Sequence, residues 1–312
     1  MFQKDPYRDL LPFRPPNVIK KLAPKSAVPL FNGKHLLGLT AERKGCLWMP
    51  AARHRAAIAG ALRAAAHLKS VLGFALRPRL EDPGSMRRNH SPDRLFNGLT
   101  SVCQEVLDAP PFCLHVQEPG FPPGDRGAVE AVRSHVAACA EAGFTSVGLD
   151  FTGWLADAIP DLAVALLEPF ARLELSVWMK LSTPGTEVAE RVRHVVSTTN
   201  GLKRRGVPPD VILLPGPEEL GREAWELSLE LEGWVAPCLL GWSDPGKALP
   251  QAMESHLGGA CIRALIGAAD APTESPENKL EAITYMETLD RLDRLGSTES
   301  ALALSRVLER QS

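Results

Sequence analysis

The sequence lacks three features that would place the protein at a membrane or on a polyanion. No run approaches about 18 uninterrupted apolar residues, so no transmembrane helix is expected. The start, MFQKDPYRDLLPFRPP, is charged and proline-broken and has no apolar stretch of signal-peptide length. The 35 basic and 37 acidic residues give a formal net charge of -2, which predicts no global attraction to nucleic acid or anionic lipid. We therefore expect a soluble cytoplasmic protein with no nucleic-acid or membrane partner.

Paired cysteines are also absent, because no CxxC spacing occurs that would suggest a zinc knot or a redox site. The six cysteines each stand alone in apolar or helical patterns: Cys46, Cys103, Cys113, Cys139, Cys238 and Cys261. Cysteines outside disulfides are among the most frequently buried residues. We expect reduced thiols that are mostly buried.

What the sequence does contain is an alternation, in which short apolar runs are each followed by a longer segment of helical period. Eight runs are predicted to be strands: residues 35–40, 70–76, 112–116, 146–151, 175–181, 210–215, 235–242 and 261–267. Eight strand and helix pairs in 312 residues fit a (β/α)8 TIM barrel better than an open doubly wound sheet. We expect an N-terminal extension over 1–34, the barrel over 35–295 and an extra C-terminal helix over 296–312.

Active sites of such barrels lie at the carboxyl ends of the strands and in the loops that follow. Residues at those positions, mostly polar residues and glycines, are therefore the candidates. They are Thr40, Glu42 and Arg43 after strand 1, Arg77 and Arg79 after strand 2, His115, Gln117 and Glu118 after strand 3, Asp150 and Thr152 after strand 4, Lys180, Ser182 and Thr183 after strand 5, Pro215 and Gly216 after strand 6, and Trp242, Ser243, Asp244, Gly246, Gly267 and Asp270 after strands 7 and 8. Ser, Thr, Asp and Gly are also ordinary turn residues, so roughly half of these positions are equally well explained as helix caps or loop ties.

Two stretches carry a family resemblance. PFCLHVQEPG begins at Pro111, and AEAGFTSVGLDFTG follows further along the chain. They resemble the class II fructose- and tagatose-bisphosphate aldolases, in which the third strand ends in His-x-Asp-His-Gly and the next unit reads Ala-Gly-Phe-Thr-Ser-Val, an apolar residue, Ile and Asp. The resemblance runs from about Pro111 to Leu181 and continues faintly at GWSDPG and IRALIG, where that family has its phosphate loop and eighth strand. It implies a barrel that binds a phosphorylated sugar in carbohydrate metabolism.

The departures from that family concern its zinc chemistry. By resemblance His115 keeps the family's first histidine, whereas Gln117 replaces the catalytic aspartate and Glu118 replaces the first zinc-binding histidine. A glutamine amide cannot act as a general base near neutral pH. Strand 5 ends in Lys180 where the family has a glutamate, and no histidine ends strands 5, 6 or 7. Catalytic zinc normally needs three converging protein ligands, so bound zinc is not expected.

Two other chemistries stay open. Glu42, Glu118, Asp150 and Asp244 could supply oxygen ligands for Mg2+ or Mn2+, although strand-end carboxylates more often cap helices. Lys180 could act as a Schiff-base nucleophile, because a desolvated amine attacks carbonyls without a metal. The alternative is that Lys180 forms a buried ion pair with Asp150 or Glu118. If the protein is an enzyme, we expect a carbon-carbon lyase in which Lys180, Glu118 and Asp150 carry the catalysis.

Two loops predict anion binding. The loop after strand 2 contains Arg77 and Arg79 with further arginines, and guanidinium groups bind phosphate bidentately. Acidic residues in the same loop could neutralise them, so a solvated loop of mixed charge is an equal alternative. Ser243, Gly246 and Gly267 lie after strands 7 and 8, where barrels often hold a phosphate on backbone amides. Together with His115 and Gln117, these residues form the predicted ligand-binding set.

Three functions follow from these observations. The favoured one is a non-catalytic or regulatory protein that binds a phosphorylated sugar or a similar small anion, as a homo-oligomer or beside an aldolase-like partner subunit. The second is an active lyase or isomerase with a changed catalytic set around Glu118, Asp150 and Lys180, and the third is an interaction scaffold. Self-association is predicted through apolar residues of the last long helix: Leu280, Ile283, Tyr285, Met286, Leu289, Leu292 and Leu295.

Overall fold

Eight parallel strands form the centre of the molecule. In a computed structural model, the described residues are 6–42, 45–51, 54–76, 91–117, 120–168, 173–181, 187–214, 230–231, 238–242, 262–268 and 276–309. The strands are β1 (Leu47–Ala51), β2 (Leu72–Leu76), β3 (Phe112–Gln117), β4 (Ser146–Asp150), β5 (Ser176–Lys180), β6 (Val211–Leu214), β7 (Cys238–Trp242) and β8 (Ile262–Ala268). Hydrogen bonds join them in the order β1-β8-β7-β6-β5-β4-β3-β2.

The two ends of this sheet meet, which makes the structure a (β/α)8 barrel as predicted. Gly73 in β2 lies so close to β1 that a methyl group in its place would come within 2.8 Å of the Met49 side chain. Side chains alternate between the two faces of each strand. Met49, Cys113 and Trp178 pack in the cluster inside the barrel, whereas Phe112 and Val116 pack between the strands and the outer helices.

The prediction of the first strand was wrong. Residues 35–40 belong to helix α2 (Gly33–Glu42), and the first strand is β1, which begins at Leu47. A short apolar run buried on several sides has no helical or strand period that distinguishes it, and Leu36, Leu37 and Leu39 are all buried. Strand β1 contains Pro50, which has no backbone N–H to donate and is uncommon inside strands. The sequence therefore did not indicate a strand there. The barrel therefore begins at Leu47 rather than at His35.

Helices form the outer layer, one after most strands. They are α3 (Arg55–His67), α4 (Pro92–Glu105), α5 (Arg126–Ala142), α6 (Ile159–Leu167), α7 (Val188–Arg204) and α8 (Glu277–Arg294). Two of them have side-chain or glycine caps: Ser91 accepts a hydrogen bond from the Arg94 amide at the start of α4, and Gly143 takes a left-handed conformation (φ 103°) after α5. Among the described residues, no helix combines the length and apolar character needed to cross a bilayer.

The end of the barrel at which the strands begin, which we call the base, is covered by the described segments that precede β1 and follow α8. A 3-10 helix (Arg8–Phe13), α1 (Pro16–Lys21) and α2 precede β1, while a second 3-10 helix (Ser300–Ala303) and α9 (Leu304–Glu309) end the described chain. The Phe31 amide donates to the Phe112 carbonyl (2.9 Å), and the Phe112 amide donates to the Pro29 carbonyl (3.0 Å). Leu304 and Leu308 pack in one cluster with the leucines of α2. The opposite end, which we call the mouth, is where barrel sites occur.

Helix α8 hides part of the apolar surface that suggested self-association. It packs against α3, where Leu280 (4% exposed) contacts Ala56 and Ala57. Leu292 and Leu295 are also buried in the protein's own core, while Met286 is 62% exposed. Homo-oligomer formation through α8 therefore stays a prediction, and fewer of the helix's apolar residues are exposed to support it. Light scattering at micromolar concentration tests it, and a monomer would contradict it.

Candidate functional site

The strand register decides which inward-facing groups share a level in the barrel. Strands β4 and β5 pair Ser146 with Ser176, Gly148 with Trp178 and Asp150 with Lys180. Strand β3 places His115 beside Ser146. The polar groups of β3, β4 and β5 therefore rise in layers, from the two serines near the base to Asp150 and Lys180 at the mouth.

An ion pair lies at the mouth of the barrel. Lys180 Nζ is 3.0 Å from Asp150 Oδ2, and the Thr152 amide donates to Asp150 Oδ1 at 2.9 Å. The two side chains are partly open to solvent, 30% for Lys180 and 15% for Asp150. This geometry is the ion-pair alternative that the sequence left open for Lys180, with Asp150 as the partner.

His115 lies deeper in the barrel than this pair. Its side chain is fully buried, its Nδ1 is 2.6 Å from Ser146 Oγ, and its ring packs on Trp178 with centroids 4.2 Å apart. Trp178 is itself held by the hydrogen bond that its Nε1 donates to Ser176 Oγ (2.9 Å). His115 faces inward and Val116 outward, as strand alternation predicts. Contact between His115 and a ligand stays a prediction, since its ring packs below the level of the ion pair.

A cluster of aromatic residues that the sequence reasoning missed, which we call the aromatic wall, packs between the loops after β3 and β4. Trp154 Nε1 donates to the Phe121 carbonyl at 2.8 Å, which joins the loop after β4 to the loop after β3. The Phe121 ring packs edge-on against Phe151 (centroids 5.6 Å apart) and at a tilt against Trp154 (5.7 Å). The only sequence signal was the position of these aromatic residues just beyond two predicted strands. Beside them, Gly120 lies over the Asp150 carboxylate.

Several predicted site residues lie outside the described residues. These are Arg43, Arg77, Arg79, Glu118, Ser182, Thr183, Pro215, Gly216, Ser243, Asp244, Gly246 and Asp270. For Gln117 the structure gives the backbone at the end of β3, opposite Gly148, and for Gly267 the backbone of β8, between Pro50 and Trp242. Anion binding by the loop after β2 and by the loops after β7 and β8 therefore stays a prediction.

A zinc site of the class II type does not fit the described residues. No group of three histidine, cysteine, aspartate or glutamate side chains in that part of the chain could hold a metal ion. At the end of β5 the structure places the Lys180 ammonium, a hydrogen-bond donor with no lone pair for a metal, beside the one strand-end carboxylate described there, Asp150. Thr40 and Glu42 do not follow a strand as expected, because they lie in α2, which precedes β1. Glu42 is thus removed from the predicted oxygen-ligand set.

The base of the barrel holds two further titratable groups. Asp210 Oδ2 accepts a hydrogen bond from the Val177 amide (2.8 Å), and burial raises the pKa of Asp210 against the opposing effect of its hydrogen bonds. Burial, helped by the charge of Lys34, lowers the pKa of His35 to about 4. Both groups lie near the start of α2, far from the mouth.

Four of the six cysteines are within the described side chains. Cys46, Cys103, Cys113 and Cys139 are all buried, as predicted. Burial raises the pKa of the Cys113 thiol to about 12, so this side chain stays protonated inside the barrel at neutral pH. A protonated, buried thiol is a poor nucleophile and a poor metal ligand.

The fold can be compared with known proteins once these positions are fixed. No protein-family model matches the chain, and no curated protein matches it. Solved structures do match. The YdjI aldolase from Escherichia coli K12 has a TM-score of 0.61 at 13% identity, covering 86% of this chain and 98% of that one. A candidate fructose-1,6-biphosphate aldolase from Coccidioides immitis has a TM-score of 0.60 at 14% identity, covering 92% and 99%.

A third similar structure is a protein from Sinorhizobium meliloti 1021 that is named as a tagatose 6 phosphate kinase. Its TM-score is 0.55 at 14% identity, and the match covers 86% of this chain and 90% of that one. At such identities the likeness establishes the fold and leaves the chemistry to the residues of the site. The chain therefore has the (β/α)8 barrel fold of aldolase-like proteins.

Proposed function

We propose that the protein binds a phosphorylated sugar or a similar small anion at the mouth of its barrel, as a non-catalytic or regulatory member of the aldolase-like group. The observation that carries the proposal is the Lys180–Asp150 pair, which lies at the mouth and keeps part of both side chains open to solvent. Barrel ligands bind at this end of the strands. The names of the similar structures, two aldolases and a tagatose 6 phosphate kinase, support a sugar phosphate as the ligand.

The chemistry of the pair suits such a ligand. The Lys180 ammonium has three donor positions and only one faces Asp150 Oδ2 in the observed contact, so it can also donate to a phosphate or carbonyl oxygen. The Asp150 carboxylate accepts hydrogen bonds and can take them from sugar hydroxyls. A ligand that carries both an anion and hydroxyl groups matches both members of the pair.

The absence of zinc-type chemistry is the second part of the proposal. By resemblance Gln117 stands where the class II enzymes have their catalytic aspartate, and an amide cannot take a proton. Lys180 stands where they have a glutamate. Elemental analysis of the purified protein is expected to find no stoichiometric zinc. One tightly bound zinc ion per chain, whose removal abolishes an aldol cleavage activity, would contradict this part.

Ligand binding is tested by calorimetry with fructose 1,6-bisphosphate, tagatose 1,6-bisphosphate and dihydroxyacetone phosphate, with and without Mg2+ or Mn2+. Lys180→Met should weaken binding by about tenfold or more, the usual cost of losing a charge-assisted hydrogen bond. The matched control is Lys25→Met, because Lys25 is exposed and precedes the segment that pairs with the start of β3, at the base. If no sugar phosphate binds, or if both variants bind alike, the interaction-scaffold alternative is favoured.

An active lyase remains the second candidate because Lys180 is a primary amine at the mouth with a carboxylate 3.0 Å away. That carboxylate could exchange the proton that Schiff-base formation moves. Borohydride treatment in the presence of dihydroxyacetone phosphate would trap an imine as a stable mass increase on Lys180. A trapped adduct together with turnover would establish the lyase and exclude the non-catalytic role.

A further inference from the structure

The residue above the ion pair is a glycine, and its missing side chain matters. A methyl group built on Gly120 would lie 3.5 Å from Asp150 Cγ and 3.6 and 3.8 Å from Oδ2 and Oδ1. Gly120 itself is exposed. Any side chain at this position would therefore start on the solvent side of the Asp150 carboxylate and cover part of it.

Backbone conformation does not require glycine here. Gly120 does not have the positive φ that is found at Gly124, Gly143 and Gly153. The contacts that an added methyl group would make with Asp150 are at ordinary van der Waals distance. The protein could therefore fold with alanine at this position, so a substitution here can test access to Asp150 without disturbing the fold.

The position of Gly120 is fixed by the aromatic wall. Its neighbour Phe121 is 3% exposed, packs on Phe151 and accepts the hydrogen bond from Trp154 Nε1. Phe151 directly follows Asp150 in the chain, so the same contacts hold the carboxylate and the glycine together. Phe121 thus bounds one side of the gap that Gly120 leaves above Asp150.

Asp150 has hydrogen-bonding capacity left to use through that gap. An ionised carboxylate offers about four acceptor positions. In the described contacts one oxygen faces Lys180 and the other accepts the Thr152 amide hydrogen, which occupies two of them. The remaining positions suit hydroxyl donors. The Thr152 hydroxyl, two residues along the chain, is buried and meets no partner among the described atoms.

We propose that Gly120 is a specificity-determining residue, which keeps Asp150 open to a hydroxyl group of the phosphorylated ligand. This inference rests on the proposed function, since it assigns one part of the same ligand. Lys180 would hold the anionic or carbonyl part, and Asp150 would accept from a hydroxyl next to it. The site would then discriminate a polyol phosphate from a phosphate ester without hydroxyl groups.

The test compares two probes of similar length and charge in calorimetric titrations: fructose 1,6-bisphosphate, which carries hydroxyls, and 1,6-hexanediol bisphosphate, which carries none. Wild-type protein should prefer the sugar. Gly120→Val should weaken binding of the sugar by about tenfold and leave the diol bisphosphate unchanged, with Gly120→Ala between wild type and Gly120→Val. The control is Gly98→Ala on α4, where an added methyl group meets no described atom within 4 Å. Melting temperatures show that each variant is folded.

The outcomes separate the two proposals. If the wild type binds neither probe, the proposed function fails and this inference fails with it. If the wild type binds both probes equally, or if Gly120→Val and Gly120→Ala bind the sugar as tightly as the wild type, only the role of Gly120 is overturned. An equal loss for both probes in Gly120→Val also overturns it, because the glycine would then act on the phosphates or on the fold.

Discussion

Polar groups at the two ends of the barrel differ in their exposure to solvent and in their partners. At the base, Asp210 is partly buried and accepts from the Val177 amide, and Ser176 accepts from Trp178 under a cover formed by α2. At the mouth, Lys180 and Asp150 make one ion pair that keeps 30% and 15% of their side chains exposed. The polar groups of the base have partners within the fold, whereas the pair at the mouth stays partly open to solvent.

This difference predicts that substitutions at the two ends of the barrel have different effects on stability and on ligand binding. Buried polar groups with fixed partners are costly to disturb, because removing one partner leaves the other desolvated and unpaired. Exposed ion pairs contribute little to folding, because water and salt screen them. Substitutions near the base should therefore lower the free energy of unfolding, and substitutions at the mouth should mainly change ligand affinity.

The largest effect is expected for Trp178→Ala. Trp178 is fully buried inside the barrel, packs on His115 and donates to Ser176. Removing the indole should cost about 3–5 kcal/mol of unfolding free energy through the cavity and the lost packing. Urea unfolding followed by circular dichroism measures it. A loss below about 1 kcal/mol, the range of surface changes, would mean that the interior is not packed as described.

A matched pair of glycines compares the two ends directly. A methyl group on Gly33, at the start of α2, would lie 3.3 Å from the Cβ atoms of Ser146 and Ser176, whereas one on Gly120 would lie 3.5 Å from Asp150 Cγ. Gly33→Ala should cost about 1–2 kcal/mol by overpacking, and Gly120→Ala should stay within about 0.5 kcal/mol. Thermal and urea unfolding of both variants give the comparison. Equal losses of unfolding free energy in the two variants would contradict the difference between base and mouth.

The sequence predicted seven of the eight strands because these strands are short apolar runs. It failed at β1, where Pro50 interrupts the run, and at α2, whose buried leucines look like a strand. At the site, strand alternation correctly placed His115 inward and Val116 outward. The partner of Lys180 could not be chosen, because the register of β4 against β5 is set by packing across the barrel. Gly120 was missed because loop contacts have no sequence period.

The next effect depends on pH. His35 at the base has its pKa lowered from 6.5 to about 4 by burial, so the folded state excludes a proton that the unfolded chain binds below pH 6.5. The free energy of unfolding should therefore fall as the pH drops from 6.5 towards 4. Relative to His35→Gln, the wild type should lose on the order of 1 kcal/mol, since His35 is only partly buried.

Urea unfolding of both proteins at several pH values measures this difference. At pH above 6.5 the imidazole is neutral in both the folded and the unfolded state, so that range provides the reference for the substitution itself. If the unfolding free energies of the wild type and His35→Gln differ by the same amount at every pH down to 4, His35 does not resist protonation in the folded protein.

The smallest effect on stability is expected at the mouth itself. A double-mutant cycle with Lys180→Met and Asp150→Asn should give a coupling energy of about 0.5 kcal/mol, because partly exposed ion pairs are largely screened. The coupling should shrink further in about 1 M NaCl, where the Debye length falls to roughly 3 Å. The same two substitutions should each weaken sugar-phosphate binding, because they remove the groups that we propose contact the ligand. A coupling above about 2 kcal/mol with unchanged ligand affinity would show instead that the pair acts like the buried groups of the base, and the mouth would then have no binding role at this position.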